Sequence, residues 1–501
     1  MKILIIENPR PLTMEHYNDV ANAPLSASLN SGYALAIAGR AGWDGAYLDL
    51  SDCRYDETVM AEMILAEQPD MILIHWVYAW GNEHVMRNVL HILGKDRRAA
   101  IGAFGLFPSF AYRPLSDFAP RLDFILVGEF ESTLDDLLSN YLSKRTIISI
   151  PGLYRAGGEF VRRELIPDLS LLPIPEDTGT NCRYPTMNIA TGRGCYGDCS
   201  FCFINRYYGC SRRRERSVAS FILELEERLK RRPVNSIYFV DPTFIGHDER
   251  QSGRVLEISS ILKCKGLPFG FETRVDTFDE ELIGKLADNG ASSVFLGIES
   301  GCEATLKRIN KRISTNQIIR SVRAVQDSGI FLSVGFIMFE PDSSLSELVE
   351  NYSLLDELGL LQHHDQTVNM LYHSQIVLYG SGAWFRFAEQ GRLIEDERLP
   401  FEAGYRFLNT DVAMVCHGMR ALSCEYFRLM DNQYRRQGIA SNDQFACCHT
   451  RTPPGVDGDN LNRILKESFQ TFVRQTGMHD RKQFSRLERM YLDDLRACFP
   501  V

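Results

Sequence analysis

The sequence predicts an α/β fold: two successive series of short apolar strands alternating with amphipathic helical stretches, followed by a mainly helical tail. Three observations carry this. Residues 1–145 hold apolar runs at Ile3–Ile6, Ala46–Leu50, Met71–Val77, Ala99–Phe104 and Phe124–Val127, separated by helix-like segments. A second strand–helix series occupies residues 186–381. From Gly382 to Val501 strand signals fade while helical periodicity persists. With 501 residues, 45% hydrophobic, 24% charged and 11% aromatic, and no biased tract, the chain is long enough for about three cores and is neither disordered nor collagenous in class. Lys plus Arg number 55 against 65 Asp plus Glu, a net charge of −10, so electrostatics offer no general attraction to nucleic acid or an anionic membrane.

The strands of the first series are unbroken apolar runs, which predicts a parallel sheet covered on both faces, a Rossmann-like arrangement. Its first strand ends in Glu7-Asn8-Pro9-Arg10-Pro11 instead of Gly-x-Gly-x-x-Gly, which disfavours a nicotinamide cofactor. Only four consecutive apolar residues precede Glu7, too few for a secretory signal, and no run approaches the roughly 20 apolar residues of a membrane span. The expectation is a cytoplasmic protein. Residues 146–185, rich in Pro, Gly and Asp, read as a hairpin followed by an irregular linker. The second series places strands at Met187–Thr191, Ser236–Asp241, Phe269–Glu272, Ser293–Ile298, Leu332–Met338 and Thr367–Leu371. Six such strands suit either an open barrel or another doubly wound sheet. The tail shows helical patterns at Ala383–Gln390, Met414–Gly438 and Leu461–Gly477.

Thirteen cysteines in a chain expected in a reducing compartment direct attention to metal ligation rather than disulfides. Three of them stand in Thr191-Gly192-Arg193-Gly194-Cys195-Tyr196-Gly197-Asp198-Cys199-Ser200-Phe201-Cys202, a C-x3-C-x2-C spacing just after the first strand of the second series. Three thiolates in one loop suit three irons of a 4Fe–4S cluster and leave the fourth iron open to another ligand. A structural zinc site is the alternative, with Cys210 or Cys182 as its fourth ligand.

These residues resemble the radical S-adenosylmethionine (SAM) superfamily, whose signature C-x3-C-x-aromatic-C closes the first strand of a partial (β/α)6 barrel. The resemblance runs over residues 186–381. It implies that Cys195, Cys199 and Cys202 hold the cluster, that SAM chelates the open iron, and that Phe201 packs near the adenine. Reductive cleavage of SAM would then give a 5'-deoxyadenosyl radical. By the same resemblance Asp241, Arg274 and Glu299, at the ends of the second, third and fourth strands, become SAM contacts; the alternatives are helix capping for Asp241 and a mutual salt bridge for the other two. The Gly-Gly-Glu motif that many members use for the SAM amino group is absent.

A Rossmann-like domain ahead of such a barrel resembles the cobalamin-binding branch, the class B methyltransferases and their relatives, which extends the resemblance over residues 1–381. Gly128-Glu129-Phe130-Glu131-Ser132-Thr133 resembles that branch's Gly-Glu-x-Glu turn, and Gly102–Pro108, with Gly105 inside it, stands where the branch has Gly-Gly-Pro. Gly105, Gly128 and Glu129 are therefore cofactor-binding candidates. The Asp-x-His-x-x-Gly motif that elsewhere supplies a lower axial histidine is missing. The resemblance then sets the lower face of the corrinoid against Val77-Tyr78-Ala79-Trp80-Gly81-Asn82, with Tyr78 or Trp80 covering the cobalt unless they are ordinary core residues. Tyr207 and Tyr208, just past the cysteine loop, and His373, beside the sixth strand, are catalytic candidates that could line a radical cavity or move a proton; packing is the alternative. The run Arg212-Arg213-Arg214-Glu215-Arg216 reads as a solvated face, with recognition of a phosphate or carboxylate substrate as the alternative, and Cys416, Cys424, Cys447 and Cys448 read as buried thiols rather than a second cluster.

The expectation is a cobalamin-dependent radical SAM enzyme with a Rossmann-like cobalamin-binding domain at 1–145, a hairpin and linker at 146–185, a radical SAM barrel at 186–381 and a helical domain at 382–501. Its cofactors would be a 4Fe–4S cluster, SAM and cobalamin. It would methylate an unactivated carbon of a small-molecule natural-product intermediate through methylcobalamin and the 5'-deoxyadenosyl radical, with an external one-electron reductant of flavodoxin or ferredoxin type. A cobalamin-dependent cyclisation, ring contraction or rearrangement without methyl transfer is the enzymatic alternative. A non-catalytic cluster- or corrinoid-binding sensor is the other.

Overall fold

The first series of apolar runs folds as its pattern requires. The computed structural model describes residues 1–10, 28–51, 56–77, 79–94, 98–144, 146–178, 186–394, 396–437, 452–476 and 481–499. In chain order its first part runs β1 (Lys2–Glu7), α1 (Leu29–Arg40), β2 (Asp44–Asp49), α2 (Glu57–Ala66), β3 (Met71–His75), α3 (Glu83–Leu93), β4 (Ala100–Phe104), α4 (Leu106–Phe118), β5 (Phe124–Leu126), α5 (Glu131–Lys144) and β6 (Leu153–Tyr154). The sheet order is β2-β1-β3-β4-β5-β6, with β1 to β5 parallel. Where a hairpin was expected, the linker gives β6, an antiparallel edge that sets Tyr154 opposite Ile125. Both faces are covered. Ile3 and Ile5 pack with Tyr33 and Ile37 of α1 and Leu134 of α5, while Leu4 and Ile6 pack with Met86, Val89 and Leu90 of α3. Strand order reverses between β1 and β3, the point at which such sheets open a crevice beyond their carboxyl ends.

The second part runs β7 (Thr186–Ile189), β8 (Gly192–Arg193), α6 (Ile204–Tyr208), β9 (Arg214–Glu215), α7 (Val218–Arg231), β10 (Ser236–Phe239), α8 (Glu249–Cys264), β11 (Phe269–Arg274), α9 (Glu280–Asp288), β12 (Ala291–Glu299), α10 (Glu303–Arg308), α11 (Thr315–Asp327), β13 (Phe331–Phe336), α12 (Leu345–Glu357) and α13 (His364–Tyr372). Strands β7, β10, β11, β12 and β13 form a parallel sheet in strictly sequential order. Sequential right-handed crossovers put every helix on one side, which makes an open barrel rather than a doubly wound sheet. The strand expected at Thr367–Leu371 is instead α13. Its buried Thr367, Val368, Met370 and Leu371 recur at helical spacing, and a short apolar run does not by itself separate the two periods. Just after α13, Ser374 forms an isolated parallel bridge with Phe339, beyond the end of β13.

The tail comprises α14 (Gly382–Glu389), α15 (Thr410–Arg436), α16 (Gly458–Thr476) and α17 (Arg481–Ala497). Helix α17 was not among the expected ones, although it buries Phe484, Tyr491 and Leu495. Met419 and Phe427 of α15 and Phe469 of α16 share one continuous core with Phe336 and Phe339 of the barrel, Phe469 lying stacked on Tyr352 of α12 at 5.4 Å. Among the described residues no helix is long and apolar enough to cross a membrane.

Candidate active site

The cysteine loop leaves the barrel through β8 and returns through β9, a two-residue ribbon that pairs Arg193 with Arg214. Gly194 holds φ +82°, and any Cβ there would strike the carbonyl oxygen of Arg212, so only glycine lets the two sides of the loop lie this close. Cys195, Cys199 and Cys202 are all free, half-buried thiols. The Cys202 amide donates to the Cys199 carbonyl (3.1 Å), and the Gly197 amide to Cys195 Sγ (3.3 Å). Burial pushes the Cys202 thiol up to about 12; it also raises Cys199, with Lys311 and Arg274 acting the other way. Among the described residues no three His, Cys, Asp or Glu side chains close round one point as ligands of a single ion would. Three thiols in one loop with two cations beside them nevertheless suit a larger, negatively charged iron–sulfur cluster.

Arg274, the last residue of β11, organises this corner. Its Nε and Nη2 donate to Asp276 (2.9 and 3.1 Å), Nε reaches the Tyr196 hydroxyl (3.2 Å), and Nη1 lies 3.6 Å from Cys199 Sγ. It does not pair with Glu299. That carboxylate takes Lys311 Nζ at 2.8 Å, so the single salt bridge considered from sequence is replaced by two. Burial alone would lower the Lys311 ammonium, but Glu299 and the neighbouring Cys199 hold it above its ordinary value. Glu299 sits at φ +65°, a left-handed conformation that costs a non-glycine residue about 1–2 kcal/mol, where the register shifts at the end of β12. Phe201 is half-buried in the loop between Cys199 and Cys202.

Asp241 caps no helix. It is fully buried and accepts the Thr191 amide (2.6 Å) and hydroxyl (2.8 Å), with Arg213 Nη2 at 3.5 Å. Burial raises its carboxyl, opposed by Arg213 and Thr191. Its oxygens thus fix the strand end from which the cysteine loop departs. The arginine run is not a solvated face. Arg213, Arg214 and Arg216 are buried, Arg213 against Glu215 and Asp241, Arg214 against Glu129, and Arg216 against Glu224. Two of the carboxylate partners, Glu129 and Asp241, are remote in the chain, and charge density alone does not reveal them.

Glu129 and Gly128 join the two sheets' domains. Glu129 is buried and accepts Arg193 Nη1 (3.1 Å), Arg214 Nη1 and Nη2 (3.1 and 2.7 Å) and the Ile166 amide (2.9 Å). Burial would raise its carboxyl, but the two guanidiniums hold it below the usual value. Gly128, at φ +79°, offers its carbonyl to the Tyr207 hydroxyl at 2.7 Å, while Tyr208 lies under Arg214 at 5.2 Å. Both tyrosines are therefore engaged at this junction. Gly105, at φ +113° ahead of α4, leaves no room for a Cβ, which would come within 2.9 Å of the Trp76 carbonyl. Trp80 is 7% exposed, packed with Leu4 and Trp76, and stands at φ +46°; Tyr78 lies outside the described residues, as do Cys447 and Cys448. His373 stands beside the barrel edge, its carbonyl accepting the Phe339 amide at 3.1 Å; burial, helped by Arg420, lowers its imidazole to about 4 and keeps it neutral at neutral pH.

Sequence reasoning missed Lys311 and Asp276, which carry no motif, and a network at the β1–β3 reversal. There His75 Nδ1 lies 3.0 Å from Glu7 Oε2 and 3.1 Å from Ser28 Oγ, and Nε2 lies 3.3 Å from Asn30 Nδ2. Burial would raise Glu7, but His75, Arg10 and Ser31 hold its carboxyl down at about 2. A carboxylate ending an otherwise apolar strand was the available signal.

Residues 189–355 match the radical SAM superfamily. This chain carries a radical SAM domain. Over 254 residues it is 31% identical to an uncharacterized methyltransferase of Pyrococcus horikoshii, covering 48% of this chain and 54% of that protein. Over 370 residues it is 26% identical to 4'-phospho-dehydrooxetanocin synthase of Priestia megaterium, covering 65% and 48%. The chain spans about half the length of these curated relatives. Among solved structures it is similar to the cobalamin-dependent SAM radical enzyme OxsB with aqua-cobalamin bound (TM-score 0.74, 18% identity, 99% of this chain and 80% of that one). It is also similar to the radical SAM methyltransferase TsrM from Kitasatospora setae with tryptophan and a SAM analogue bound (TM-score 0.63, 16% identity, 98% and 99%). The radical SAM domain thus sits in a whole-chain fold shared with OxsB and TsrM.

Proposed function

We propose that this protein is a cobalamin-dependent radical SAM enzyme that methylates an unactivated carbon of a small molecule. The observation that carries the reading is the half-buried thiol trio in a radical SAM domain, with Arg274 and Lys311 set beside Cys199. When bound, the cluster and SAM would supply a 5'-deoxyadenosyl radical and the corrinoid would carry the methyl group; an external one-electron donor of flavodoxin or ferredoxin type would drive the first step. Cys195, Cys199 and Cys202 would hold the cluster. Arg274 and Lys311 offset its negative charge, and Glu299 keeps Lys311 oriented toward it. In the N-terminal sheet His75 faces Glu7 through Nδ1 and Asn30 through Nε2, which fits a corrinoid held without that imidazole on its cobalt. Trp76 Nε1 and Glu83 Oε2, buried at the two ends of the loop after β3 without a hydrogen-bond partner, are polar atoms left for a ligand there.

The test is anaerobic purification from cells supplied with cobalamin, followed by iron, sulfide and corrinoid analysis and incubation with SAM and dithionite. One cluster and one corrinoid per chain, with release of 5'-deoxyadenosine and S-adenosylhomocysteine, is the expected outcome. An intact cluster without corrinoid would remove methyl transfer and leave the radical SAM reading. A cyclisation or rearrangement is the second reading, favoured by the likeness to 4'-phospho-dehydrooxetanocin synthase; 5'-deoxyadenosine without S-adenosylhomocysteine would select it.

A further inference from the structure

The barrel sheet has two unlike faces. Met187, Ile189, Ile237, Phe239, Phe269 and Phe271, with Val294, Leu296, Leu332 and Val334, belong to the core shared with the helices. Because side chains alternate across a strand, the residues between them face the lumen. Register sets Asn188, Tyr238, Gly270 and Ser293 in one layer, Glu272, Phe295 and Ser333 in the next, and Arg274, Gly297 and Gly335 above those. Asn188, Tyr238, Glu272, Phe295 and Ser333 are all half-buried, so the lumen is accessible although protein surrounds it.

Glu272 is the unusual member. It lies one layer below Arg274, whose guanidinium reaches Cys199, and therefore beneath the corner where the cysteine loop meets the barrel. Arg274 is paired with Asp276 and Lys311 with Glu299, so neither lumen cation answers Glu272. Its hydrogen bond is one long contact from the Tyr238 hydroxyl, at 3.3 Å. The reach of that ring is built in: at Gly270 a Cβ would come within 2.9 Å of Tyr238 Cδ2 and would strike Ser293 Oγ, so the glycine lets the ring cross the strand toward Glu272.

A carboxylate in a low-dielectric lumen without a cation is costly, and a ligand carrying positive charge relieves that cost where a neutral or anionic one does not. We propose that Tyr238 and Glu272 form the subsite that receives a protonated amine of the substrate, with Glu272 accepting from the ammonium and Tyr238 holding the carboxylate in place. Burial already holds the Glu272 carboxyl up at about 7, with Tyr238 opposing that and Asp241 adding to it, as expected of a site waiting for its counter-ion.

This deepens the radical SAM reading and rests on it. The test uses the reconstituted, cluster-loaded protein and three three-carbon probes, n-propylammonium, 1-propanol and propionate, titrated by ligand-observed saturation-transfer NMR at pH 8, where the carboxyl is ionised. Propylammonium should bind at least tenfold more tightly than either other probe in the wild-type protein, a comparison that needs no variant. E272Q should remove that preference, and Y238F should reduce it by less than threefold. SAM affinity, measured by equilibrium dialysis, should be unchanged in E272Q. Equal binding of the three probes, or a preference that survives E272Q, overturns the subsite; weakened SAM binding in E272Q overturns it too and assigns the pair to SAM. Release of 5'-deoxyadenosine by the wild-type protein is scored separately: its absence sinks the radical SAM reading, whereas its presence without probe selectivity sinks only the amine subsite.

Discussion

The two parallel sheets share one strand–helix grammar and differ in what their faces meet. In the N-terminal sheet every residue of β3 and β5 is buried, whereas β7 and β10 of the barrel alternate half-buried with buried. A sheet sandwiched by helices leaves a ligand only its carboxyl edge, while a sheet with helices on one side can surround a ligand with its other face. The polar groups follow suit. At the N-terminal sheet's strand ends Glu7 is closed on by His75, Arg10 and Ser31, whereas in the barrel Arg274 and Lys311 sit against the half-buried thiol of Cys199.

This contrast can be broken experimentally. The largest expected effect is at the barrel mouth: Cys199→Ala should abolish cluster binding and 5'-deoxyadenosine formation, and retained SAM cleavage would remove the site from this loop. Next, Arg214→Ala takes away the guanidinium that makes two of the contacts to buried Glu129 and should cost about 3–5 kcal/mol in denaturant unfolding. An unchanged midpoint would mean that the junction is not held by this ion pair. Ile5→Ala and Ile6→Ala should each cost about 2–5 kcal/mol, because adjacent residues of β1 are buried on opposite faces.

Acid and base should separate the sheets by sign. Glu7 is held near 2 against an ordinary 4.5, so it contributes stability that is complete above about pH 4.5 and is lost as pH falls toward 2, on the order of 3 kcal/mol in all. Glu272 is raised from 4.5 to about 7, so its contribution is complete below about pH 4.5 and is lost as pH rises through 7. Unfolding curves of E7Q and E272Q against pH should each lose one of these two slopes, and a variant that keeps its slope refutes the corresponding assignment. The smallest effect belongs to the lumen face, where Ser333→Ala should change stability by under about 0.5 kcal/mol while its neighbour Leu332→Ala costs about 2–5.

Much of this was legible in the chain. Unbroken runs such as Met71–Val77 predicted a sheet covered on both sides, whereas the strands of the second series, such as Ser236–Asp241, left an open barrel and a doubly wound sheet equally open. The cysteine spacing led to the corner where Arg274 and Glu299 also stand. What could not be read were interactions whose partners lie far apart in sequence: Arg214 with Glu129 and Asp241 with Thr191. A run of arginines looks the same whether water or a remote carboxylate awaits it. Thr367–Leu371 failed for a local reason, since five apolar-rich residues satisfy either period and the packing of α15 and α16 decided for a helix.

The cysteine loop is tied at its neck, where Arg193 and Arg214 from the two sides of the β8–β9 ribbon both grip Glu129. The neck of the loop is thus held by ion pairs between protein side chains. Zinc fingers, by contrast, collapse around their ion and are shapeless without it. Here the neck's contacts lie outside the three thiols, so replacing one of them, as in Cys199→Ala, should leave the Arg193–Glu129–Arg214 grip in place.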